Sequence, residues 1–174
     1  MIDVALFGAG RIGTIHAGNL ANEGGARLKY VVDPNAKAAR ALAERHRAKV
    51  ATVDQVFADK DVGVVLICSF TDTHADLMLA AAGAGKQIFC EKPVDLDLAR
   101  ARTCAEAVKK AGVTCLIGFQ RRYDPTFSAL KARIVKGEIG TPEMLVVTSR
   151  DPGAPPIDYI QRSGGIFKDM LIHD

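Results

Sequence analysis

The chain has 174 residues, 48% hydrophobic and 25% charged, which is enough for one full domain and part of a second. Its net charge of +3 comes from 23 basic and 20 acidic residues, with no Lys/Arg run longer than two; this pattern argues against a nucleic-acid footprint. No apolar run approaches the length of a membrane span, and the four cysteines show no CxxC or zinc spacing, so neither a membrane partner nor a metal centre is expected, and a reducing cytoplasm fits best.

The chain enters its first predicted strand, residues 2–7, at once, which leaves no room for a signal peptide. That apolar run turns without a linker into Gly8-x-Gly10-x-x-Gly13 and a predicted helix over 11–23. A strand that ends in this spacing and opens a helix is the phosphate-cradling turn of a dinucleotide-binding unit. Gly8 serves the tight turn, Gly10 lets a pyrophosphate approach the backbone, and Gly13 lets helix and strand pack closely. The N–H groups of the first helical turn, at Arg11 and Ile12, face the phosphates together with the positive end of the helix dipole. A second strand, 27–32, ends in Asp33, twenty residues after Gly13. A carboxylate there accepts hydrogen bonds from a ribose 2′-OH and repels a 2′-phosphate, so NAD is expected in preference to NADP.

Helices are then predicted over 35–46, 53–58, 73–83, 95–110 and 124–136, alternating with strands 48–51, 63–68, 86–90 and 113–118. The strands are near-continuous Val/Ile/Leu runs, as expected where both faces of a sheet are covered. Cys68, Cys90 and Cys115 lie in such runs and read as small buried hydrophobes. Strict alternation with short connections predicts an α/β fold with a doubly wound parallel sheet.

Two strand ends carry candidate chemistry. After the fourth strand, Ser69 and Thr71 are placed to touch ribose or phosphate, and Thr73 to cap the next helix. His74 reads equally as a cofactor contact or as an ordinary first-turn helix residue. After the fifth strand comes Glu91-Lys92-Pro93. An ammonium there would stabilise negative charge on a substrate oxygen, although a lysine at a turn needs no such role.

The character changes after Gly118. GFQRRYDP is polar and turn-rich, and its Arg121 and Arg122 read as an anion site or a solvated turn. Residues 143–150 are a strand candidate, followed by DPGAPPIDYI, too rich in proline for regular structure. Gly164 and Gly165 precede a last helical pattern, 166–174, in which Asp169 and His173 stand four apart on one face. A carboxylate beside an imidazole sets a general base near neutral pH, and an exposed i,i+4 pair looks the same in sequence. A strand at 143–150 has no later partner in the sequence, so it either adds to an existing sheet edge or belongs to a sheet that is missing; the second reading is favoured, with residues 1–120 a nucleotide domain and 121–174 the incomplete first part of a second domain.

Together these motifs resemble the Gfo/Idh/MocA oxidoreductase family: GAGRIG at 8–13, Asp33, TDTH at 71–74, EKP at 91–93, GFQRRYDP at 118–125 and GGIFKDMLIHD at 164–174. The run SRDPGAPP at 149–156 looks most like the inositol dehydrogenases within it. The resemblance implies a Rossmann-type domain binding NAD through Gly8, Gly10, Arg11, Ile12, Gly13, Asp33, Ser69, Thr71, His74, Glu91 and Lys92. It also implies a catalytic group of Lys92, Asp169 and His173, a small polyol as substrate, an α+β substrate domain of which 121–174 is the first part, and a homo-oligomer for an extended form.

Overall fold

The computed structural model describes residues 1–150 and 153–173, apart from the Asp158 side chain. It divides into two units, Met1–Ile117 and Gly118–Asp174. In the first, six strands alternate with helices: β1 Ile2–Phe7, α1 Arg11–Ala21, β2 Ala26–Val32, α2 Ala36–Arg45, β3 Lys49–Val50, α3 Val53–Ala58, β4 Val62–Ile67, α4 His74–Gly83, β5 Gln87–Cys90, α5 Leu98–Ala111 and β6 Cys115–Ile117. All pairings are parallel, in the order β3-β2-β1-β4-β5-β6. This is the Rossmann strand order, and the direction of winding reverses between β1 and β4.

The pleat sends alternate side chains of β1 to opposite faces, and both faces are covered. Ala5 and Phe7 pack with Val65, Ile67, Met78, Ile88 and Cys104, while Leu6 packs with Ala17, Val31 and Leu42 on the other side. Each fully buried Val, Leu, Ile, Phe or Met side chain contributes about 1.5–3 kcal/mol relative to exposure. Burial pushes the thiols of Cys68 and Cys90 up, which leaves them unreactive fillers of this core.

Local chemistry sets the helix entries. The Asn35 side chain accepts from the N–H groups of Lys37 and Ala38 to open α2. Thr52 and Gln55 form a reciprocal capping box on α3. The Asp97 carboxylate opens α5, which therefore starts at Leu98 and not at the predicted residue 95.

An ionic cluster joins β1, β2 and the β4 approach. Lys29 Nζ lies 2.8 Å from Asp59 Oδ2, and the Asp61 N–H donates to Asp59 Oδ1 at 2.9 Å. These donors hold the Asp59 carboxyl at about 2, below the ordinary aspartate value of about 3.9. A folded-state value depressed in this way adds stability that is complete above the ordinary value and lost as pH falls toward about 2. Thermal unfolding followed over that interval should show the loss, and Asp59→Asn should start less stable and converge on the parent at the acid end.

The second unit holds α6 Pro125–Val135, α7 Ile157–Ser163 and α8 Gly165–Asp169, with 3-10 turns at Gln120–Tyr123 and Leu171–His173. Three expectations are corrected here. Residues 143–150 form no strand: among the described residues they have no ladder partner, and Met144 is 83% exposed. The proline-rich segment is not wholly irregular, because α7 begins directly after Pro156, whose missing N–H costs nothing at a helix entry; Asp151 and Pro152 of that segment lie outside the described residues. The predicted helix over 166–174 is broken after Asp169, with Met170 at φ −100° and ψ −59°, so Asp169 and His173 do not share one continuous helix.

Candidate cofactor site

The carboxyl ends of β1, β2, β4 and β5 are laced side by side. The Gly8 N–H donates to Val32 O at 2.8 Å, the Cys68 N–H to Phe7 O at 2.8 Å, and the Glu91 N–H to Ile67 O at 2.9 Å. This places Gly8, Asp33, Ser69 and Glu91 at one edge of the sheet, where ligands of open α/β folds bind.

The three glycines have separable roles. Gly8 has φ +98°, and a Cβ there would stand 2.5 Å from Cys68 O. A Cβ at Gly13 would stand 1.9 Å from Gly8 O, so only glycine lets α1 close onto the turn. A Cβ at Gly10 would meet nothing within 4 Å, so the protein's own packing does not exclude a side chain there. Gly10 is the N-cap of α1 and supplies no side-chain cap, and the first internal bond runs from the Thr14 N–H to Gly10 O. The N–H groups of Arg11, Ile12 and Gly13 therefore form an uncapped helix end beside open space, an arrangement that fits a pyrophosphate.

Asp33 stands directly after β2. Its Oδ2 accepts from the Ala9 N–H and its Oδ1 from the Asn35 N–H, both at 2.7 Å. Asp33 thus holds the glycine turn in place, and each oxygen keeps a further lone pair for a sugar hydroxyl. This second duty in the turn was not legible in the sequence.

Past β4, Thr73 donates its hydroxyl proton to Phe70 O at 2.7 Å, so the 2.6 Å contact with Ser69 is donated by the Ser69 hydroxyl. Thr73 occupies the N-cap of α4 without capping it, because its oxygen is turned back into the loop. Thr71 opens a 3-10 turn at the same edge. The contact of His74 with a cofactor is corrected: the residue is 1% exposed, with Nδ1 2.7 Å from Pro93 O and Nε2 3.1 Å from Ser69 O. His74 ties the β4 and β5 loops together and has no ring edge left for a ligand.

Glu91 is half-buried, and its Oε1 lies 2.7 Å from Nε2 of His16 on α1. Lys92 follows, half-buried, and the Lys92–Pro93 peptide is cis. His16 was missed in the sequence. Its one local signal is its spacing from Ile12 and Leu20, which puts a polar ring on the inward face of α1.

Within the second unit, the Tyr159 hydroxyl donates to Asp169 Oδ1 at 2.9 Å. A pocket is lined by Phe119, Arg121, Arg122, Ile172 and His173. Arg121 lies over the Phe127 ring and Arg122 over Phe119, which steadies two guanidinium groups beside the imidazole.

Residues 2–119 match a family described as oxidoreductases with an NAD-binding Rossmann fold. Over 97% of its length the chain is 51% identical to the inositol 2-dehydrogenase of Rhizobium meliloti, of which it covers 51%. It is 43% identical to the NAD(+)-dependent scyllo-inositol 2-dehydrogenase of Bacillus subtilis, over 98% of this chain and 51% of that one. The crystal structure of a myo-inositol dehydrogenase from Corynebacterium glutamicum matches with a TM-score of 0.91 at 45% identity, covering 100% of this chain and 53% of that one. The chain spans about half the length of the relatives it matches.

Proposed function

From the premise that the chain belongs to the Gfo/Idh/MocA oxidoreductases, a family with an NAD-binding Rossmann fold, we propose that it serves the NAD-dependent oxidation of a polyol secondary alcohol, with myo-inositol as the first substrate to test. The observation that carries the cofactor half is the uncapped start of α1 beside the open position at Gly10, with Asp33 at the adjoining strand end. The substrate half rests on the inositol dehydrogenases to which the chain is similar.

In this reading the N–H groups of Arg11, Ile12 and Gly13 hold the pyrophosphate, and Asp33 accepts from a ribose hydroxyl. Ser69, Thr71 and the Glu91–Lys92 segment line the other half of the dinucleotide, at the ends of β4 and β5. NAD, when bound, supplies the hydride acceptor. The catalytic group is Lys92, Asp169 and His173. His173 accepts the hydroxyl proton at a ring nitrogen as the carbon–oxygen bond becomes a carbonyl. The Lys92 ammonium stabilises negative charge growing on that oxygen, and Asp169, steadied by Tyr159, orients the substrate hydroxyls.

The test is NADH formation from a panel that includes myo-inositol, scyllo-inositol and glucose. It is run on this chain and on a chimera that continues it with the second half of the Rhizobium meliloti relative. Turnover of an inositol by the chimera supports the reading. A chain that binds NADH, with a folded chimera that turns over no polyol, points instead to a non-catalytic NAD-binding module.

A further inference from the structure

His16 has no part in the chemistry above, yet it is built into the site's framework. It stands three residues after Gly13 on α1, and its ring packs edge-on against Phe89 of β5, with centroids 4.8 Å apart. Its Nε2 lies 2.7 Å from Glu91 Oε1, across 75 residues of sequence, with the two side chains only 24% and 19% exposed. Burial pushes the Glu91 carboxyl up, but His16 and the Lys92 backbone N–H outweigh it and hold the group below the usual glutamate range. An ionised carboxylate only accepts, so Nε2 carries the proton and donates. The other carboxylate oxygen, Oε2, faces the Lys92 N–H at 3.4 Å. One carboxylate therefore joins the helix that opens at the glycine turn to the segment that carries Lys92.

We propose that His16 is a positioning residue, which through Glu91 fixes the Lys92–Pro93 segment for the nicotinamide half of the dinucleotide and not for its adenosine half. The proposal rests on the cofactor reading above. In a sheet of this order each half of a dinucleotide lies against one half of the strands. Asp33 and its bond to Ala9 belong to the β2 side, whereas Phe89, Glu91 and Lys92 belong to the β5 side. His16 is the side chain of α1 that reaches the β5 side by a charge-assisted hydrogen bond, and a bond of this kind is short, directional and sensitive to loss of its donor.

The experiment compares two ligands on the intact chain: NADH, and ADP-ribose, which has the adenosine and pyrophosphate but no nicotinamide. Both are titrated against the parent, His16→Ala and His16→Gln, with melting temperature as the fold control. Loss of one charge-assisted bond predicts a drop in NADH affinity on the order of tenfold for His16→Ala, with ADP-ribose affinity unchanged. Gln carries an amide N–H close to the place of Nε2, and His16→Gln should recover most of the NADH affinity. If His16→Ala fails to fold, His16→Leu keeps bulk against Phe89 without the donor and gives the same comparison. Equal loss for both ligands, or NADH affinity unchanged by removal of the donor, overturns the proposal. A parent chain that binds neither ligand overturns the cofactor reading and this proposal with it.

Discussion

Replacing His173 with alanine in the chimera will lower the turnover of inositol by roughly 10²–10⁴-fold while NADH affinity stays within about twofold of the parent, because a positioned general base contributes on that scale only in the transition state. The selectivity of the effect carries the argument. His173 lies in the Leu171–His173 turn of the second unit, whereas the uncapped helix end, Asp33 and the Glu91–Lys92 segment all lie in the first. A residue that serves only the reaction changes kcat and leaves cofactor binding alone; a residue that serves only folding lowers both. His173→Gln, which keeps a polar side chain but does not accept a proton near neutral pH, should fall almost as far as His173→Ala. Full turnover in either variant would remove the base assignment. A parallel loss of NADH affinity would show that His173 acts through the fold.

The second large effect separates two glycines only three residues apart. Gly10→Val should reduce NADH affinity by about 100-fold, the loss of one or two charge-assisted bonds to phosphate, about 2–3 kcal/mol. The fold should survive, since a Cβ at Gly10 meets nothing within 4 Å and the N-cap there is already without a side-chain bond. Gly13→Ala should do the reverse in part. Its Cβ would fall 1.9 Å from a backbone oxygen, so α1 must shift from the turn, at a cost of about 1–3 kcal/mol in stability and of the binding geometry as well. Circular dichroism melts beside NADH titrations distinguish the two. An unchanged NADH affinity in Gly10→Val would contradict the phosphate-turn assignment.

The difference between these two positions shows what the sequence could carry. The glycine spacing, the apolar run of β1 and the acidic end of β2 are local signals, and each was legible because a short pattern determines a short geometry. The parallel, doubly wound sheet followed from strict alternation of elements, whereas the order of its strands came from the structure. What was not legible depends on partners far along the chain. The His16–Glu91 bond spans 75 residues, and the burial of His74 between Pro93 O and Ser69 O needs two loops to meet. The apolar run at 143–150 has the composition of a strand, but composition records propensity and not the presence of a neighbouring edge. The break after Asp169 carries no Gly or Pro to announce it, so the helical pattern over 166–174 reads as one continuous helix, which does not form.

Residues 2–119 match an NAD-binding Rossmann family, and the proposed function assigns the dinucleotide to the glycine turn and its selection over NADP to Asp33. The most direct measurement is a fluorescence titration of this chain with NADH and, separately, NADPH, repeated on Asp33→Ser. The Asp33 assignment leads to saturable NADH binding with weaker NADPH binding in the parent, and to a narrowed preference in the variant as the carboxylate that repels a 2′-phosphate is removed. Equal or tighter binding of NADPH by the parent, or no saturable binding of either, would contradict it.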